Sequence, residues 1–389
     1  MNSFDDIRPY NDAEVSAVLT QLLRDDELLA LLASLRLGSW ARYVPNKLSS
    51  FVVRRHLVKE LRDVKDVRSF QVVVERYMDR MIQDSTSEFT VSGLDQLEPN
   101  KPYLFMSNHR DIALDPAFTT YALYHNNRNT ARIAIGDNLL TKPYVSDLMR
   151  LNKSFIVNRS ATAPRQVLAA YRNLSAYIRH SIDEEGESIW LAQREGRAKD
   201  GLDKTEPAII KMLSICRDKD AETFGQHLAA LNIVPVAISY EWDPCDAVKA
   251  AELYEREHAG AYQKDEHEDV ASIGLGISGQ KGHVHVAFGT PLSDGLDGPD
   301  EVAQQMDQQV ISNYKLHPTN YLAYYQRYQQ WPDHAALGDD APFDPQQYRS
   351  QQLDFQTRLD AIPELHRHYV LDLYANAIVS KLNLQTSCQ

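Results

Sequence analysis

Cysteine is scarce: Cys216, Cys245 and Cys388 are the only three in 389 residues, and none is near another. With no paired spacing, they fit a reducing cytosol and incidental or buried thiols. Long apolar runs are missing too. No window approaches the roughly 18–20 residues that a spanning helix needs, so no transmembrane helix is expected. The opening "MNSFDDIRPYND" is polar and acidic and does not read as a secretory signal. Basic charge is in deficit, with 41 Lys and Arg against 54 Asp and Glu and a net charge of −13. That balance argues against nucleic acid as the main partner. No Gly-x-Ser-x-Gly elbow appears, which weakens a serine hydrolase reading.

What is present is an ordinary globular composition, with 43% hydrophobic and 24% charged residues. Apolar spacing near 3.6 in "EVSAVLTQLLRDDELLALLASL" and "SFQVVVERYMDRMI" predicts a helical N-terminal element over 1–87. The rhythm then changes. "EFTVSGL" (88–94), "YLFMSN" (103–108), "ARIAIG" (131–136), "SFIVN" (154–158), "ESIWLAQ" (187–193) and "NIVPVAISY" (232–240) read as short strands. Helical stretches lie between them, the clearest following Pro164 with Val167, Leu168, Tyr171, Leu174, Ile178 and Ile182 on one face. This alternation predicts an α/β domain over 88–295, with a mostly parallel central sheet flanked by helices. "VASIGLGIS" and "HVHVAFG" read as a closing hairpin joined by "GQKG", and 296–389 as a helical C-terminal extension.

One segment departs from the overall acidity. Arg36, Arg42, Lys47, Arg54, Arg55 and Lys59 occur with no acidic residue among them, interleaved with Trp40, Tyr43, Leu48, Phe51, Val52 and Val53. Such a stretch suits an anionic membrane surface. It equally suits a helical hairpin packed on the main domain with its charges solvated.

Three motifs are decoys. "GLGISG" (274–279) has the spacing of a nucleotide-binding turn, but a strand-like "HVHVAF" follows where a helix N-terminus is needed. His283 and His285 share one strand face with no third ligand nearby in sequence. "HRD" (109–111) matches a kinase loop, yet that loop needs Asn five residues after its Asp, and position 116 is Pro.

The stretch "SNHRDIALDPAF" (107–118) is the chemical focus. Asp115-Pro116 reads as a helix N-cap and first helical residue. This leaves His109 on the loop after strand 103–108, at the carboxyl end of the sheet where α/β ligands bind. A carboxylate on one ring nitrogen leaves the other free to take a proton from a substrate hydroxyl.

"SNHRDIALD" resembles the first block of the glycerolipid acyltransferase family, which includes glycerol-3-phosphate and 1-acylglycerol-3-phosphate acyltransferases. Three further blocks follow in the family's order: "SFIVNRS" (154–160) ending near Arg159, "LAQREGRAKDG" (191–201), and "IVPVAISY" (233–240) centred on Pro235. "VHVAFGTPL" resembles the family's terminal strand and turn. Two departures stand out. Five residues separate His109 from Asp115 where the family usually has four, and the third block lacks its Thr, so Glu195 and Gly196 run straight into Arg197.

The resemblance implies O-acyl transfer. His109 deprotonates an acceptor hydroxyl, which attacks the thioester of acyl-CoA or acyl-carrier protein, with Asp115 orienting the imidazole and Asp111 as the alternate carboxylate. Arg110, Arg159, Glu195, Gly196 and Arg197 are implied as substrate-binding, with Arg194 and Lys199 as alternates. No metal or cofactor is implied. The expected acceptor is 1-acylglycerol-3-phosphate, in phospholipid synthesis, and the expected location is peripheral, on the inner face of the cell membrane. Glycerol-3-phosphate, a lyso-ornithine lipid or another membrane hydroxyl compound are alternative acceptors. A non-catalytic lipid- or acyl-carrier-binding protein is the alternative from another class.

Overall fold

A computed structural model describes residues 4–37, 45–260, 262–265, 268–293, 295–338 and 341–387. In chain order, helices α1 (Asp12–Leu22), α2 (Asp26–Leu37), α3 (Asn46–Glu60) and α4 (Val67–Ser85) come first. Strands β1 (Thr86–Ser92) and β2 (Leu104–Ser107) lead into α5 (Leu114–His125). Then come β3 (Arg132–Gly136), α6 (Pro143–Leu151), β4 (Ser154–Val157), α7 (Pro164–Asp183) and β5 (Ile189–Ala192). They are followed by α8 (Pro207–Leu213), α9 (Phe224–Ala230), β6 (Ile233–Tyr240), α10 (Asp246–Ala259), α11 (Glu268–Ser278) and β7 (Gly282–Phe288). The last stretch holds α12 (Pro299–Asn313), α13 (Pro318–Tyr328), α14 (His334–Leu337), α15 (Arg349–Asp360) and α16 (Arg367–Ser387). Among the described residues no helix is long and apolar enough to cross a membrane.

The chain divides into two compact units, Met1–Arg80 with Arg132–Asn173, and Met81–Ala131 with Leu174–Gln389. In the first, β3 and β4 pair in parallel from Ile133↔Ser154 to Gly136↔Val157. Val15, Leu19, Leu22, Leu28, Phe70, Tyr144 and Leu151 form a buried cluster there. The start of α1 is fixed by a capping box, in which the Asn11 side chain accepts a helix N–H and Glu14 accepts the Asn11 N–H.

The second unit is built on strands in the order β1-β7-β6-β2-β5. β2 pairs in parallel with both β5 and β6, and β1 with β7, while β6 and β7 run antiparallel. Every residue of β2 and of β6 is buried. That burial on both faces explains why "LFMS" and "IVPVAISY" read as unbroken apolar runs rather than alternating ones. The observed fold is α/β with a mostly parallel sheet.

One sequence expectation fails here. "VASIGLGIS" is helix α11, so β7 has no hairpin partner before it. Ile273, Leu275 and Ile277 alternate as a strand would, but Ser272 and Gly276, four apart, form the buried stripe of a helix. Gly276 is required there, since a Cβ would come within 2.4 Å of the Asp111 carboxylate.

The C-terminal helices do more than extend the chain. Tyr321, Leu322, Phe355, Leu359, Val370, Leu373, Tyr374 and Ile378 form a buried cluster with Ala250 of α10. Gly201, at φ +79°, lies against α16 so closely that a Cβ would meet the Leu373 carbonyl oxygen at 2.2 Å. Asn376 donates to the Asp200 carbonyl at 2.8 Å. The extension therefore holds the loop that carries Asp203.

Candidate active site

Asn108, at the end of β2, ties the strand to its surroundings. Its Nδ2 donates to Asp203 Oδ2 and to the Ile238 carbonyl, each at 3.0 Å, and its Oδ1 accepts from Ile238 N at 2.8 Å. The chain then leaves the sheet through His109, Arg110 and Asp111 before α5 begins.

His109 Nδ1 donates to Asp115 Oδ2 at 2.9 Å. Asp115 is fully buried, while 14% of the His109 side chain remains exposed. Asp115 Oδ2 also accepts from Arg110 N at 2.6 Å and Asp111 N at 2.9 Å, and its Oδ1 accepts from Tyr240 Oη at 2.7 Å. With so many donors around it, the carboxylate is fixed, and the ring it holds is fixed with it. The far nitrogen, Nε2, has no hydrogen-bond partner among the described residues. The ring also stands edge-on to Trp190 of β5, with centroids 6.1 Å apart. A neutral imidazole with Nδ1–H on a buried carboxylate and an open Nε2 is competent to accept a proton.

The helix cap falls to a different carboxylate than the sequence suggested. Asp111 Oδ1 accepts from Ala113 N at 3.0 Å and Leu114 N at 2.9 Å, and so caps α5. Asp115 lies inside the helix's first turn and turns back to the loop's N–H groups. Capping and histidine binding thus fall to two different carboxylates. Burial, reinforced by the charge of Asp115, pushes the Asp111 carboxyl above its ordinary range.

Arg110 is not placed to bind substrate, contrary to expectation. It is only 4% exposed, its Nε and Nη2 donate to Asp203 Oδ1 and Oδ2 at 3.0 and 2.7 Å, and Nη2 also donates to the Gly201 carbonyl at 3.0 Å. Asn108, Arg110 and Asp111 are all buried, and His109 alone of these four keeps some exposure. Lys249 Nζ holds the Arg110 carbonyl at 2.6 Å and also pairs with Asp243. Burial pushes the Asp243 carboxyl up, but the Lys249 ammonium outweighs it and leaves the group below its usual range. Arg358 and Tyr374, from the C-terminal helices, complete this buried network through Asp246 and Asp243.

The third block sits beside the first. Ala198 N donates to the His109 carbonyl at 2.8 Å, pinning the loop 194–199 to the loop that carries His109. Glu195 and Gly196 are exposed, with Gly196 at φ +73°. Arg197 is partly exposed, and its Nη2 donates to Ser272 Oγ of α11 at a long 3.4 Å. Arg194 Nε is buried with no hydrogen-bond partner among the described residues. Lys199 is engaged by Glu252, which also holds Arg256 at 2.7 Å. Arg159 belongs to the first unit, where it is exposed and its backbone N–H donates to Asp137 Oδ1 at 3.0 Å. His283 and His285 bond to Thr90 at 2.6 and 2.7 Å, so they serve an ordinary strand face.

Sequence reasoning missed Tyr240, Asp203 and Lys249. Tyr240 ends the very block quoted as the fourth, and its position at the carboxyl end of a strand was the available signal. Nothing local marks Asp203 or Lys249.

A family model described as acyltransferase matches residues 88–212. Three of the four ordered blocks fall within the matched span. Among solved structures, the 1-acyl-sn-glycerophosphate (LPA) acyltransferase PlsC from Thermotoga maritima is similar at 14% identity. That match covers 74% of this chain and 95% of that one, with a TM-score of 0.38. No curated protein matches.

Proposed function

We propose that the chain transfers a fatty acyl group from an acyl thioester, acyl-CoA or acyl-carrier protein, to a hydroxyl of a phosphorylated glycerol acceptor, with 1-acylglycerol-3-phosphate foremost. The observation that carries this reading is His109, held by buried Asp115 through one nitrogen and open at the other. Nε2 takes the hydroxyl proton as the oxygen attacks the thioester carbonyl, and the imidazolium returns it to the departing thiolate. Asp115 keeps the proton on Nδ1 and stabilises the imidazolium. Arg197 supplies a guanidinium for the acceptor phosphate, for which its planar donors are suited, with Arg194 beside it in sequence as an alternate. No metal or cofactor enters this chemistry.

The test is an acyl-transfer assay offering glycerol-3-phosphate, 1-acylglycerol-3-phosphate and a lyso-ornithine lipid, each with both donor types, read by free thiol release. Arg197→Gln is expected to raise KM for a phosphorylated acceptor about tenfold or more, at roughly 1.5–3 kcal/mol for a charged hydrogen bond, with KM for the donor unchanged. The family resemblance gives Arg159 the same role, and Arg159→Gln in the same assay tests it separately. Thiol release with none of the acceptors would favour the non-catalytic binding reading.

We further propose that α3 meets an anionic membrane surface. Leu48, Phe51, Val52 and Val58 are 57, 61, 59 and 48% exposed on this helix, and Lys47, Arg54, Arg55 and Lys59 are exposed with them. The rest of the basic aromatic segment, 38–44, lies outside the described residues. At about 1 kcal/mol per basic residue, an Arg54→Gln, Arg55→Gln pair is expected to weaken binding to phosphatidylserine vesicles roughly 30-fold in co-sedimentation. Equal binding to neutral and anionic vesicles would rule this out.

A further inference from the structure

Apart from the acyl-transfer site, the second unit holds a cluster of ionisable groups built on α7, α8 and α9. His227 of α9 is 1% exposed. Its Nδ1 lies 2.7 Å from Glu222 Oε1 and its Nε2 lies 3.0 Å from the Leu213 carbonyl oxygen. A carbonyl oxygen can only accept, so Nε2 carries a proton. The carboxylate at Nδ1 likewise calls for a proton there. The ring is therefore an imidazolium, held on both sides. Cys216 Sγ stands 4.0 Å from Nε2.

Other groups reinforce the arrangement. Arg179 of α7 places Nη1 3.3 Å from the His227 carbonyl oxygen, 3.4 Å from Nδ1 and 3.6 Å from Glu222 Oε2, while pairing with Asp183. Arg217 Nη1 donates to the Glu222 carbonyl at 3.1 Å. Ser175 Oγ donates to the Leu213 carbonyl at 2.7 Å and accepts from Cys216 N at 3.2 Å, fixing the thiol's backbone beside the ring. One cationic ring therefore stands beside a half-buried sulfur, with the Arg179 guanidinium at the ring's other nitrogen, and His227, tied to Leu213, is a fixed charge rather than a mobile base.

We propose that Cys216 is a reactive thiolate and a site of thiol–disulfide exchange with low-molecular-weight disulfides. In the exchange its sulfur attacks one sulfur of the disulfide, a new S–S bond forms as the old one breaks, and the departing thiolate takes the electron pair and then a proton from water. The low-molecular-weight disulfide is the oxidant: Cys216 is oxidised to the mixed disulfide and the departing sulfur is reduced to a thiol. Burial raises the Cys216 thiol, but the His227 ring 4.0 Å from the sulfur, together with the charge of Arg179, outweighs it and leaves the group below its ordinary value. Cys245 is the internal contrast: 1% exposed, and pushed up to about 11 by burial and by Asp243.

The experiment alkylates the full chain with iodoacetamide across pH 5.5–9.5 and quantifies each cysteine by peptide mass spectrometry. Cys216 is expected to label with a midpoint well below the roughly 8.5 of a free thiol, and to form a mixed disulfide with glutathione disulfide at neutral pH while Cys245 does not. Glu222→Gln, at a partly exposed position, is expected to slow Cys216 labelling at pH 6.5 several-fold. His227→Gln is expected to do so more strongly, and circular dichroism checks that each variant is folded. A Cys216 midpoint at or above that of a free thiol overturns the proposal. So does a folded Glu222→Gln with unchanged labelling, or the absence of the mixed disulfide.

Discussion

Replacing His109 with Ala is expected to lower kcat for acyl transfer by roughly 10²–10⁴-fold, the usual contribution of a placed general base. The fold should be nearly untouched. His109 gives up one hydrogen bond to Asp115, whose carboxylate keeps Arg110 N, Asp111 N and Tyr240 Oη as donors. Losing one such bond while the acceptor stays satisfied costs about 1 kcal/mol. KM for the acceptor should move little, because Nε2 acts on the proton in flight and not on the phosphate. Steady-state kinetics with thermal unfolding of the same preparation separates these effects. A variant that is folded and retains the parent rate would mean that another group removes the proton.

The His109–Asp115 pair was legible because it is local. His109 and Asp115 are six residues apart, and a strand, a short loop and a helix start are enough to bring them together. Tyr240, Asp203 and Lys249 reach the same loop from 125, 93 and 139 residues away. No spacing rule encodes such contacts, because they depend on strand order and on how α10 and the C-terminal helices pack. The same limit explains Arg110. The resemblance implied a substrate ligand at this position, and only the distant partner Asp203 reveals which way Arg110 points. Helix α11 was misread for a different reason. Its small residues Ser272 and Gly276 are the buried ones, while Val270, Leu275 and Ile277 are 64, 41 and 47% exposed. Apolar periodicity therefore tracked the exposed face. In β2 and β6, apolar runs bounded by turn residues predicted the strands well, because burial on both faces demands such runs.

The buried pair gives the second large effect, this time on stability. Arg110→Ala is expected to cost about 3–5 kcal/mol, because it leaves the Asp203 carboxylate, 6% exposed, without its ion-pair partner. Asn108 Nδ2 still donates to Asp203, and one neutral donor does not replace a two-pronged guanidinium. Asp203→Leu alone should cost a similar amount by leaving the guanidinium without a carboxylate on Nε and Nη2, with the Gly201 carbonyl and the Tyr314 ring face as what it keeps. The double variant Arg110→Met, Asp203→Leu removes both charges together, and buried ion pairs replaced by apolar residues are often neutral. Its loss should therefore be no greater than that of either single variant, and far below their sum, in denaturant unfolding. The same double variant decides the role of Arg110. A structural Arg110 predicts a folded enzyme with KM for the acceptor unchanged, since Asn108 still anchors the loop through both the N–H and the carbonyl of Ile238. A substrate-binding Arg110 predicts a folded enzyme whose acceptor KM rises tenfold or more. The first outcome follows from a guanidinium whose Nε and Nη2 are spent on Asp203 and Gly201, with little surface left to meet a ligand.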